Sequence, residues 1–143
     1  MEFMVMTFFL IASAFCSKDY TLCTKYFTLK CVDGADQSIT DDPELGNHFT
    51  YGTYGVDTFC DHSNQVFKQL KNVEIGDDLY IAYDKTIKHL KCEKICTMKL
   101  DSMGHIRDED GNYMGDADAP CTILYTCKSR NRRLVTIWRE VDE

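Results

Sequence analysis

The sequence predicts a mainly β domain, a small closed barrel carrying one or two short helices. Three observations lead there. Several short runs are rich in Tyr, Thr, Val, Ile and Phe and are bounded by turn residues. A single segment has its apolar residues at helical spacing. The 143 residues suit one domain, against a prior of roughly 100–200 residues each.

The elements follow in chain order. Residues 19–32 (DYTLCTKYFTLKCV) alternate roughly and predict one or two strands. Residues 33–47 are a polar, turn-rich connection, and residues 48–59 place aromatics between glycines, as a strand and a turn would. In residues 64–73, Val66, Phe67, Leu70 and Val73 recur every 3–4 positions, which predicts a short helix with one apolar face. Glu74-Ile75-Gly76-Asp77 ends it in a tight turn. Residues 79–83 (LYIAY) form a strand and residues 87–100 one or two more. Residues 101–120 hold five Asp, one Glu and three Gly and read as a long exposed loop. Residues 119–127 (APCTILYTC) and 134–138 (LVTIW) are strands, and residues 128–133 between them, with four positive charges in six positions, read as a basic loop.

Residues 1–14 (MEFMVMTFFLIASA) carry an apolar run of about 11 residues, the length of a signal-peptide core and short of the roughly 20 that a membrane span needs. Small residues frame cleavage sites after Ala14 and after Cys16. The expected organisation is a signal peptide over 1–16 and one domain over 17–143. The leader lacks a basic start, and an N-terminal apolar strand is the alternative. No later segment is long and apolar enough to span a bilayer, so the mature chain is expected to be secreted and extracellular. Eight cysteines suit that compartment and predict a disulfide-stapled domain. Cleavage after Cys16 leaves seven of them, an odd number with one thiol over; cleavage after Ala14 leaves eight, all able to pair.

The net charge is −7, and −6 without the leader, which argues against nucleic acid or an anionic membrane as partner. No Asn-x-Ser/Thr acceptor occurs. Cys92 and Cys96 have no second cysteine pair at zinc-site spacing. His48, His89 and His105 lack a partner motif and read as surface or loop residues.

Three separated segments point further. Residues 61–77 (DHSNQVFKQLKNVEIGD) carry a His, a short helix of the form F-x-x-L and a Gly-Asp turn. Residues 78–81 begin the strand that follows. Residues 123–127 (ILYTC) end in Thr-Cys, and Arg133 opens the last strand. In this order, with His62 and Cys127 65 residues apart, they resemble the sortases, a family of cysteine transpeptidases. The resemblance covers roughly residues 56–138 and implies a sortase-like closed barrel. It also implies a catalytic set of His62, Cys127 and Arg133, and a peptide or protein substrate. The chain departs from the family in having Asp61 where a Gly usually precedes the His, in the short stretch from Cys127 to Arg133, and in its many cysteines. Reading residues 43–47 (PELGN) as the turn ahead of the His strand would put Thr53 at the His position; the gapless distance from His62 to Phe67 and Leu70 favours His62.

The residue types suit the chemistry. A thiol attacks an amide as thiolate, and the positive charges after Cys127 favour that form and an oxyanion. His62 protonates the leaving amine and deprotonates the incoming one. Arg133 holds substrate oxygens as a fixed cation. A thioester forms and is resolved by an amine or by water, so a peptidase differs from a transpeptidase only in the acceptor. No cofactor is required. Calcium is the candidate ion, because some sortases bind it through a loop in this region; the stretch Asp108-Glu109-Asp110-Gly111-Asn112 with Asp116 and Asp118 would hold it, although it misses the EF-hand spacing. The rival is a non-catalytic, disulfide-rich secreted binding or effector protein on the same barrel. There Cys127 is bridged, to Cys121 or Cys60, and the basic stretch is a recognition patch.

Overall fold

The computed structural model describes residues 19–34 and 41–142; the expected leader lies outside the described residues. Nine strands run in chain order as β1 (Tyr20–Cys23), β2 (Thr28–Asp33), β3 (Leu45–Tyr51), β4 (Val56–Cys60), β5 (Asp78–Tyr83), β6 (Thr86–Leu100), β7 (Ile106–Arg107), β8 (Thr122–Ser129) and β9 (Arg132–Glu140). Neighbouring strands follow the order β5-β1-β2-β3-β4-β8-β9-β6, and β6 pairs back with β5. Eight strands therefore close a barrel, which leaves no free sheet edge. The two-residue β7 hangs on the far end of β6. The pairs β2–β3 and β4–β8 are parallel and the rest antiparallel. β6, 15 residues long with a bulge between Cys92 and Lys94, pairs with β5, β9 and β7.

Strand alternation makes two cores. Leu124 of β8 and Trp138 of β9 point inward with Leu22, Leu29, Phe59, Leu79 and Leu90. Ile123, Val135 and Ile137 on the other face are buried under Ile106 and Met114. Residues 101–120 are thus not simply an exposed loop: two apolar side chains pin them to the outside of β8 and β9. The polar residues between make turns, as where the Asp108 carboxylate takes the N–H groups of Asp110 and Asn112, each at 2.9 Å.

The expected helix is a 3-10 helix, Val66–Asn72. At three residues per turn, positions i and i+3 eclipse, so Phe67, Leu70 and Val73 stack on one side and enter the inner core. The turn after it is tied by Asp77, whose carboxylate accepts the Glu74 N–H and the Tyr26 hydroxyl, each at 2.8 Å, and pairs with Lys25 at 3.1 Å. Gly76 has φ +94°, which a side chain would resist. A second 3-10 segment spans Asp116–Asp118.

The disulfide staple is overturned for the described residues. None of the seven described cysteines is bridged to another described cysteine. Cys23, Cys31 and Cys92 are buried as small apolar side chains, and Cys31 and Cys92 belong to the inner core. Residues 128–133 are not a loop either. Both strands run through them, leaving a two-residue turn at Arg130 and Asn131. His48 is 4% exposed on β3 rather than at the surface: its Nδ1 meets Asp33 and its Nε2 lies 3.0 Å from Asp57.

Candidate active site

The parallel pair β4–β8 keeps a constant register, Asp57 with Thr122 through Cys60 with Tyr125. The Thr126 hydroxyl extends it past the strand end by donating to the Asp61 carbonyl at 2.7 Å. The next residue on each side is His62 and Cys127. Across the β8–β9 hairpin, Cys127 stands opposite Arg133. The backbone positions of His62, Cys127 and Arg133 thus fall at one end of three adjacent strands. Thr53, the other reading of the His position, lies in the β3–β4 turn, with its N–H on Asp116 at 3.0 Å.

Cys127 is the exposed thiol among the described cysteines. Burial pushes the Cys60, Cys92 and Cys121 thiols up to about 11 and raises Cys31 and Cys96 as well, so all five stay protonated at neutral pH. Burial, with Cys60 beside it, also raises the Tyr125 phenol next to the site.

His62 is a third exposed, and its Nε2 lies 2.7 Å from Asp41 Oδ1. The Asp41 carbonyl accepts from the Gln65 amide at 3.3 Å, so the segment before β3 is tied to the segment after His62. This carboxylate–imidazole contact had no signal in the sequence, since 21 positions separate the two residues.

Asp61, in place of the family's Gly, turns its side chain inward. It is 3% exposed, Oδ2 accepts the Phe67 N–H at 3.4 Å, and Oδ1 has no partner among the described residues. Burial pushes its carboxyl up to about 6, against partial relief from the His62, Phe67 and Val66 N–H groups. Arg133 folds back on the hairpin turn: Nη1 donates to the carbonyls of Arg132 at 3.1 Å, Ser129 at 3.3 Å and Arg130 at 3.5 Å. Its Nε and Nη2 donors have no partner among the described residues.

Beside Cys127 runs an open groove of about 490 Å³. Ser63, Phe67, Lys68 and Lys71 form one wall; Thr126, Cys127, Lys128 and Leu134 form the other. Among the described residues no group of three or more His, Cys, Asp or Glu side chains is placed to hold a metal ion. Within the acidic stretch, Asp108 binds its own turn and Asp116 holds the Thr53 N–H. No helix among the described residues is long and apolar enough to cross a membrane.

Solved structures share this barrel. Sortase A from Corynebacterium diphtheriae superposes with a TM-score of 0.68 at 16% identity, over 87% of this chain and 61% of that one. A pilus-related sortase C of Group B Streptococcus gives 0.64 at 16% identity, over 87% and 68%. A Clostridium perfringens sortase D5 transpeptidase gives 0.64 at 14%, over 87% and 79%. The chain has a sortase-like fold. No family model and no curated protein matches its sequence. At these identities the likeness concerns the fold alone.

Proposed function

We propose that this sortase-like chain is a cysteine transpeptidase acting on a peptide or protein substrate. The observation that carries the reading is the β4–β8–β9 register, which sets His62 level with Cys127 and Arg133 opposite it. In the reading, the Cys127 thiolate attacks a peptide carbonyl and the electron pair moves to the oxygen. Arg133 donates to that oxygen through Nε or Nη2. The C–N bond then breaks, the leaving amine takes a proton from His62, and a Cys127 thioester remains. An incoming amine gives its proton to His62, attacks the thioester and expels Cys127, forming a new amide. Water in place of the amine gives hydrolysis. Asp41, 2.7 Å from the imidazole, fixes the orientation of His62 through both half-reactions.

Cys127 is exposed and free, whereas the binding-module reading needs it bridged. Export through the 1–16 leader belongs to the proposal and is checked by the N-terminus of the secreted chain. The direct test of the chemistry is mass spectrometry of the intact protein quenched during turnover. An acyl adduct on Cys127, released by hydroxylamine and absent in Cys127→Ala, supports it. Unchanged turnover in Cys127→Ala removes it.

A further inference from the structure

The charge of the groove beside Cys127 opposes the charge of the molecule. The chain has 16 Lys and Arg against 23 Asp and Glu, yet among the described residues the groove is lined by Lys68, Lys71 and Lys128 and by no carboxylate. The 3-10 helix dictates this. Eclipsing every third residue buries Phe67 and Leu70 and, by the same period, stacks Lys68 and Lys71 together on the exposed side. Neither lysine has an acidic partner among the described residues. Lys128 follows the nucleophile directly and, among the described residues, donates to the Thr97 hydroxyl at 3.2 Å. The nearby Asp41 carboxylate is held by His62. Grooves elsewhere carry carboxylates: one is lined by Asp57 and Asp116, another by Asp108, Glu109 and Asp110 with Lys94, and a third mixes Asp108 and Glu109 with Lys99, Arg107 and Arg132. Leu134 adds apolar surface beside the cations.

We propose that this groove selects an acidic peptide segment, with carboxylate side chains on Lys68 and Lys71 on one side of the acyl-donor bond and on Lys128 on the other. The inference rests on reading Cys127 as the nucleophile of a peptide-processing site. The chain's surplus of negative charge disfavours acidic chains elsewhere and favours them at this cleft, whose described lining has cations and no carboxylate. Specificity then comes from charge repelled elsewhere as well as charge attracted here.

The test uses Cys127→Ala, which binds without turnover, and three fluorescent peptides of equal length. One alternates alanine with glutamate, one with glutamine, one with lysine. Anisotropy titration should show the glutamate peptide binding at least about tenfold tighter than the glutamine peptide at low salt, and the lysine peptide weakest. The advantage should collapse at high salt and in Lys68→Glu/Lys71→Glu, whose substitutions are on exposed positions. Equal binding of the glutamate and glutamine peptides, or an advantage that survives the double substitution, overturns the proposal. A second readout needs no peptide. On the wild-type chain, the rate of Cys127 alkylation by anionic iodoacetate, divided by that of neutral iodoacetamide, should fall several-fold in the double variant; an unchanged ratio overturns the proposal. Binding without any wild-type turnover would leave an acidic-peptide groove and remove the enzyme. Turnover that ignores peptide charge would keep the enzyme and remove the acidic selectivity.

Discussion

The Thr126 hydroxyl donates to the Asp61 carbonyl at 2.7 Å, locking the residue before Cys127 to the residue before His62. The bond is buried and spans 65 positions, so it sets the level of the two candidate catalytic side chains more directly than any contact between them. Thr126→Val keeps the shape and removes the donor. It should cost about 1–2 kcal/mol of stability, since the Asp61 carbonyl is left unpaired. Turnover should fall further than the stability loss explains, and Thr126→Ser should restore it. Urea unfolding and kcat/KM of the three proteins check this.

Asp61 ties the site to pH. Its carboxyl is raised from 3.8 to about 6, so between those values the folded chain holds a proton that the unfolded chain has lost. Stability therefore falls as pH rises through that window and stays low above it. Asp61→Asn should flatten the dependence and gain about 1–3 kcal/mol at neutral pH, taking about 1.4 kcal/mol per pH unit. Urea midpoints on both sides of the window measure it. A variant less stable than wild type at neutral pH would contradict the account.

His48 acts with the opposite sign. Burial alone would lower its pKa, but the Asp57 and Asp33 carboxylates outweigh it and the net shift is upward from 6.5. Its contribution is complete below the unfolded value and is lost as pH rises through the folded one. His48→Gln should cost about 2 kcal/mol in mildly acidic buffer and progressively less above pH 6.5. Tm against pH for the two proteins should converge on the alkaline side.

Phe67 joins the core to the groove. It is fully buried, and its ring centroid lies 5.4 Å from that of Phe27. Phe67→Ala should cost about 3–5 kcal/mol. Lys68→Ala, one residue along on the exposed side, should stay within about 0.5 kcal/mol. Guanidinium unfolding separates them.

Much of this was legible because strand signals are local. Residues 79–83 and 134–138 are dense in β-branched and aromatic side chains, and the barrel follows from their number and spacing. The Val66, Phe67, Leu70, Val73 spacing predicted a short helix with one apolar face, but not that it would be a 3-10 helix. What failed had non-local causes. Ile106 and Met114 are eight positions apart with no period, so nothing in the chain marks them as anchors of an acidic stretch. Residues 128–133 look like a loop by charge, although strand ends pointing outward carry lysine and arginine freely. Cysteine count suggested staples, whereas Cys31 and Cys92 fill the core. His48 owes its burial to Asp33 and Asp57 on neighbouring strands, and His62 finds Asp41 only through the fold.

The central claim is that Cys127 is a nucleophile activated by its place beside His62. The most direct measurement is the rate at which iodoacetamide alkylates Cys127 at pH 7 in the unreduced protein, mapped by peptide mass spectrometry, in wild type and in His62→Ala. The account predicts labelling of Cys127 ahead of every other cysteine and faster than a free cysteine, with the excess lost in His62→Ala. A Cys127 found in a disulfide, or one that reacts no faster than free cysteine whether or not His62 is present, would contradict it.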